Sequence, residues 1–171
     1  PSVLKYGAID KLTDGGMPRQ VRFFFSTSDV DRDNDVIDAA GWDLANFKRN
    51  PIILFAHNRH DLPVGKAVSV GIENGSLVGV VEFATHPFAE TVYQLVQGGF
   101  LNAVSVGFRA LEYAINEERK GIDFKRQELL ETSIVPVPAN QHALIAASAA
   151  GLDLDPLREW VEGTILAWPG A

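Results

Sequence analysis

The chain has no cysteine, no long apolar run and fewer basic than acidic residues, and each shortage removes a class of function. Without thiols there is no disulfide, no thiolate nucleophile and no Cys-type zinc site, and a cytoplasmic-type compartment is expected. Fifteen Lys and Arg stand against 22 Asp and Glu, a net charge of −7. A nucleic-acid surface needs clustered Lys and Arg, and an acidic chain is a poor ligand for anionic lipid. No apolar stretch approaches the ~20 residues that a membrane-spanning helix requires, and the N-terminal stretch lacks a signal-peptide pattern. Neither a nucleic-acid nor a membrane partner is therefore expected.

What is present suits a folded globular chain. At 171 residues, 46% of them hydrophobic, a single domain over 1–171 with its own core is expected. The first twenty residues are mixed and end in a Gly15-Gly16 turn before a strand at about Gln20 to Thr27. An acidic turn over Asp29 to Asp38 follows. A short helical stretch from Asp43 to Lys48 is then stopped by Asn50-Pro51. The apolar strand Pro51 to Ala56 delivers His57 into a polar loop. Two strands flank Asn74-Gly75, the dipeptide that a type I′ hairpin turn demands because both central residues need positive φ. Pro87 opens an amphipathic helix to Gln97, and Gly98-Gly99 closes it. A strand through Ser105 runs toward Ile115, turns over Asn116 to Gly121 and returns from Ile122 to about Val137. Pro136, Pro138 and Asn140 break it, and helices over His142 to Ala150 and around Pro156 to Thr164 follow. Antiparallel strands with interspersed helices predict an α+β fold, mainly β: a closed or nearly closed barrel decorated by helices.

The sequence Asn102-Ala103-Val104-Ser105-Val106-Gly107-Phe108 sets one small hydroxyl between two valines that point the other way. By alternation Ser105 leaves the buried face, either as an ordinary polar surface residue or as a nucleophile on a rigid element. Serine hydrolysis needs a hydroxyl, a base to take its proton and a group that fixes the base's tautomer. Ser105, His57 and Glu131 supply these types. His57 is otherwise a solvated loop histidine, and Glu131, opposite in face to Leu130 and Ile134, is otherwise a solvated outer glutamate. A carboxylate in such a strand is costly unless exposed or paired, and the His57 Nδ1–H would pair it. Glu128 competes for that role from the other face, nearer the charged turn.

Other motifs fail their own tests. His60, His86 and His142 lie in a loop, before a helix and beside a late helix, and His57 with His60 lacks a third metal ligand. No metal or cofactor is expected. The run Asp29 to Asp35 imitates a calcium loop, but its sixth position is Asn34 and its twelfth is Ala40. It reads as a solvated turn tied by Arg32. Asn74-Gly75-Ser76 matches a glycosylation sequon and is explained by the hairpin. Ala103 to Gly107 approaches the nucleophile elbow of α/β-hydrolases, but that elbow needs a helix after the serine and this chain stays extended.

Four stretches in order resemble the prohead proteases of tailed bacteriophages, capsid-maturation peptidases distantly similar to herpesvirus assemblin. They are FSTSDVDRDNDVIDAAGWDL, NPIILFAHNRHDLPVGKA, LVQGGFLNAVSVGFRA and ELLETSIVPVPANQHA, together spanning Phe25 to Ala143. The resemblance implies His57 as base, Ser105 as nucleophile and a third member 26 residues after the serine (131 − 105), where Glu131 stands. The herpesvirus relatives place a second histidine there. It also implies a barrel wrapped in helices and an oxyanion loop after the third triad strand, here Pro138-Ala139-Asn140. That loop is arginine-rich in the herpesvirus relatives and not here, leaving the backbone N–H groups of Ala139 and Asn140 as donors. The implied substrates are scaffolding protein or the scaffold-like segment of the capsid subunit, with self-cleavage, inside the procapsid in the host cytoplasm. A homo-oligomer is implied as well. The rival readings are a non-enzymatic capsid or scaffold component on the same barrel, and a small ligand-binding barrel.

Overall fold

The structure is a computed structural model that describes the backbone of residues 2–10 and all atoms of residues 19–136. The two late helices expected at His142 to Ala150 and Pro156 to Thr164 lie outside these residues.

One sheet forms the body. Its strands are β1 (Ser2–Asp10), β2 (Gln20–Thr27), β3 (Val36–Ile37), β4 (Trp42–Asp43), β5 (Ile52–Phe55), β6 (Gly65–Glu73), β7 (Ser76–Phe83), β8 (Ala103–Asn116) and β9 (Gly121–Val135). Hydrogen bonding runs from β9 through β5, β6, β7, β2 and β1 to β8, and β8 pairs back onto β9. The sheet thus curls almost into a closed barrel, as the strand pattern predicts. Two details refine that expectation. β3, β4 and β5 each lie parallel to β9, so the sheet is mixed. Among the described residues a single α-helix, α1 (Pro87–Gly98), flanks it.

Local chemistry explains the elements that the sequence announces. Asn74 and Gly75 take φ of 48° and 74°, turning β6 into β7 as the type I′ dipeptide requires. Helix α1 starts on Pro87, is capped by His86 Nδ1 accepting from the Ala89 N–H, and ends at Gly99 with φ of 82°. The same ring hydrogen-bonds the Pro63 carbonyl through Nε2, so a neutral imidazole holds both the helix and the preceding loop.

The chain departs from the sequence reading in three places. β1 emerges from the mixed N-terminal stretch. The helix expected over Asp43 to Lys48 is instead a bridge at Trp42–Asp43 followed by a 3₁₀ turn, Phe47–Arg49. The acidic turn ends in β3, and its ties are those of Asp31 and Arg119, while Arg32 is exposed. Asp31 Oδ1 accepts from the N–H groups of Asp33 and Asp35, and Arg119 Nε donates to the Asn34 carbonyl.

The core fills the barrel with Phe23, Phe25, Ile53, Leu77, Val81, Phe108, Leu129 and Ile134, all essentially buried. Trp42 meets Phe108 edge-on at 5.5 Å, and Phe108 meets Phe124 likewise at 5.1 Å. That aromatic run pins β4, β8 and β9 together. Bulges at Phe25, Val68 and Leu130 break the register and bend the strands around the core. Truncating Phe23→Ala should cost about 3–5 kcal/mol, read as a lower urea midpoint with unchanged m.

Candidate active site

Strand β9 lies between β5 and β8, so groups from all three strands meet across it. Ser105 of β8 faces Ser133 of β9, and Gly107 faces Glu131. Directly opposed residues in an antiparallel pair share a face, as do residues two apart on a strand. Ser105, Gly107, Glu131 and Ser133 therefore form a square on one face.

The next step in register breaks the ladder. Phe108 faces Leu129, which leaves Leu130 as the extra residue of a bulge. The bulge lets Leu129 join the core opposite Phe108 while Glu131 stays on the face of the square. It also brings Glu128, opposite Arg109, round to the same face as Glu131, where the sequence reading had set it on the other face; its partners are what hold it apart from His57. Glu128 is taken by Asn46 Nδ2 at 2.7 Å and by Arg109 at 3.3 Å.

His57 arrives from the end of β5. Ala56 and His57 take φ of 50° and 60°, and the Asn58 N–H donates to the Phe55 carbonyl at 3.0 Å. Two successive left-handed residues closed by that bond make a turn of the I′ kind, here without glycine. Left-handed backbone costs about 1–2 kcal/mol for each such residue, so the surroundings must hold it. They do: the Ala56 N–H donates to Ile134 of β9, and the His57 N–H donates to Ser133 Oγ at 3.1 Å. The turn folds the imidazole back over the square.

There Nδ1 lies 2.6 Å from Glu131 Oε1. A carboxylate only accepts, so Nδ1 carries the hydrogen and Nε2 presents its lone pair. Glu131 Oε2 receives the Ser133 hydroxyl at 2.7 Å. Glu131 is 5% exposed, and this pairing offsets the cost of burying its carboxylate. His57 Nε2 and Ser105 Oγ are both buried, and neither has a hydrogen-bond partner among the described residues. The lone pair and the hydroxyl that serine hydrolysis must join are the two unmatched groups of the site, and such bonds often tighten only when substrate arrives.

The sequence reading holds for the grouping of His57, Ser105 and Glu131 and is corrected on exposure. Ser105 is 0% exposed, and Thr132, Ser133, Ile134 and Val135 are also buried. Alternation assumes one wet face, whereas here the His57 turn lies over the second. Ala139 and Asn140, the expected oxyanion donors, lie outside the described residues. His60 is exposed, apart from the square. One metal-capable set gathers among the described residues, Asp31, Asp33 and Asp35; the Asp31 carboxylate already accepts the turn's N–H groups and that of Asp35 the Ile122 N–H.

Ser133 and Gly107 do not stand out in the sequence. The signal that finds them is spacing by two: Glu131-Thr132-Ser133 and Ser105-Val106-Gly107 each set both ends on one face.

A barrel with a carboxylate–imidazole pair beside a buried serine on adjoining strands defines a serine hydrolase. Residues 24–155 match the family model of the caudovirus prohead serine protease. The chain is 34% identical to the prohead protease of Escherichia phage T5 over 154 residues, covering 85% of this chain and 71% of that protein. It is 30% identical to the prohead protease of Enterobacteria phage HK97, covering 81% of this chain and 64% of that one. A capsid polyprotein of Pseudomonas phage PAJU2 is 32% identical over 71% of this chain and 19% of its own length. The fold is similar to that of the bacteriophage T4 capsid assembly protease, with a TM-score of 0.58 at 8% identity over 80% of this chain and 98% of that one. The chain belongs to the caudovirus prohead serine proteases.

Gly107 supplies a test of the geometry. A Cβ built there would stand 2.5 Å from Glu131 Oε1. Gly107→Ala should push the carboxylate off Nδ1 and lower turnover by about a hundred-fold, since misplacement of ~1 Å carries that penalty. Turnover and circular dichroism measured together check it: the activity should fall while the β signal persists.

Proposed function

We propose that this protein is an endopeptidase of the immature phage head. It cuts scaffolding protein or the scaffold-like segment of the capsid subunit, and itself, inside the procapsid in the host cytoplasm. The observation that carries the reading is the 2.6 Å contact between His57 Nδ1 and Glu131 Oε1 on the face that holds Ser105. The T5 and HK97 relatives are prohead proteases and the PAJU2 relative is a capsid polyprotein, which supports capsid chemistry as the setting.

In this mechanism His57 Nε2 takes the Ser105 proton as Oγ attacks a peptide carbonyl carbon. The imidazolium then gives that proton to the leaving amine, and water attacks the acyl-enzyme with the same base. Glu131, as carboxylate, keeps the hydrogen on Nδ1 and stabilises the imidazolium. Backbone N–H groups of Ala139 and Asn140, just beyond the end of β9, receive the oxyanion; in other enzymes one lost donor costs about 10²–10³ in rate. The substrate segment binds extended, as a strand beside the site. Self-association brings copies together in the procapsid.

Incubation with the capsid partner, followed by mapping of new termini, tests the reading. Wild-type protein should generate them and Ser105→Ala should not. Since the Ser105 hydroxyl is buried without a partner, its removal should leave the melting temperature unchanged or higher. Glu131→Gln should lose most turnover, whereas Glu128→Gln should stay near wild type. The reverse order would assign the third member to Glu128.

A further inference from the structure

Ser133 makes two hydrogen bonds that both end on the catalytic histidine's support. Its Oγ accepts from the His57 N–H at 3.1 Å and donates to Glu131 Oε2 at 2.7 Å. Glu131 Oε1 returns to His57 Nδ1 at 2.6 Å. The bonds form a ring that leaves His57 by its backbone and re-enters by its side chain. Every member is buried except the imidazole, whose side chain is 21% exposed.

We infer that Ser133 is a positioning residue for catalysis, acting on His57 through both its main chain and its carboxylate partner. The inference rests on the triad reading of His57, Ser105 and Glu131. The physical need is twofold. The terminal torsion of a glutamate is broad, so one hydrogen bond to Oε1 leaves the carboxylate plane poorly fixed. The hydroxyl on Oε2 selects one plane, the one that aims Oε1 at Nδ1. At the other end, φ of 60° at His57 is a strained backbone state that persists only if its surroundings over-determine it. The same hydroxyl holds that amide. A single oxygen therefore fixes the direction from which Nε2 meets Ser105.

The ring also divides the two serines by task. They face each other across β8 and β9, both fully buried. Ser133 spends its one proton on Glu131 and a lone pair on His57, whereas Ser105 is unpartnered and free to give its proton to Nε2. Hydrogen bonding, rather than burial, makes Ser105 the reactive one.

The test uses a fluorophore-bearing fluorophosphonate, which reports phosphonylation of Ser105 without a peptide substrate. Wild type, Ser105→Ala, Ser133→Ala and Ser133→Thr are compared. Ser133→Ala should label about ten- to a hundred-fold more slowly at saturating probe, with the half-saturating concentration unchanged. Ser133→Thr, which keeps the hydroxyl, should regain most of the rate. A second readout is the downfield Nδ1 proton of His57 in proton NMR of the Ser105→Ala protein. Adding Ser133→Ala should shift it upfield and speed its exchange with solvent. Labelling that persists in Ser105→Ala, or its absence from wild type, would sink the triad reading itself. Wild-type labelling rates and an unmoved Nδ1 signal in Ser133→Ala would sink the role of Ser133 alone. If the alanine variant does not fold, Ser133→Cys, of similar volume but a poor donor, replaces it. Failure of both to fold would mark Ser133 as purely structural and overturn the inference.

Discussion

A carboxylate buried in the wall of a barrel has to be paired, and the pairing of Glu131 organises this site. Its two oxygens are matched by the two donors that the face provides, the imidazole Nδ1–H and the Ser133 hydroxyl. Burial makes those bonds strong and makes their absence expensive, since an unpaired charge in the wall has no water to turn to. The same requirement that keeps the fold intact thus fixes the tautomer of His57. Stability and base chemistry rest on one contact.

The barrel supplies that contact through a single long strand. β9 pairs in parallel with β3, β4 and β5 and antiparallel with β8, so it is the common neighbour of the strands carrying the base and the nucleophile. Behind it, the Trp42–Phe108–Phe124 edge-to-face run resists sliding of β8 on β9, which would move Ser105 relative to Glu131. In front, the left-handed turn at Ala56 and His57 throws the imidazole across. A rigid sheet holds two members and a strained turn bonded to that sheet holds the third.

Features governed by local chemistry were legible in the sequence. Asn74-Gly75 made its hairpin, Pro87 and Gly98-Gly99 bounded the helix, and Asn116 to Gly121 turned β8 into β9, each because few residues tolerate the conformations involved. Four segment resemblances in order brought His57, Ser105 and Glu131 together. Features set by long-range pairing were not legible. Two-residue strands such as β3 and β4 have no period of their own, so the parallel pairings left no mark. The bulge at Leu130 carries no glycine or proline to announce it, yet it turns Leu129 into the core while Glu131 stays on the serine face. Alternation placed Ser105 on a wet face because it cannot know that the chain will fold a turn over that face. Ser133 went unnoticed for the same reason: its role joins the carboxylate two residues before it to a backbone amide 76 residues away.

The most direct measurement is a crystal structure of the protein covalently trapped with a peptidyl phosphonate. It should show phosphorus bonded to Ser105 Oγ, His57 Nε2 within hydrogen-bonding distance of the adduct, and Nδ1 still on Glu131. A phosphonate attached elsewhere, or an imidazole turned away from Glu131 with the adduct in place, would contradict the arrangement on which the mechanism depends.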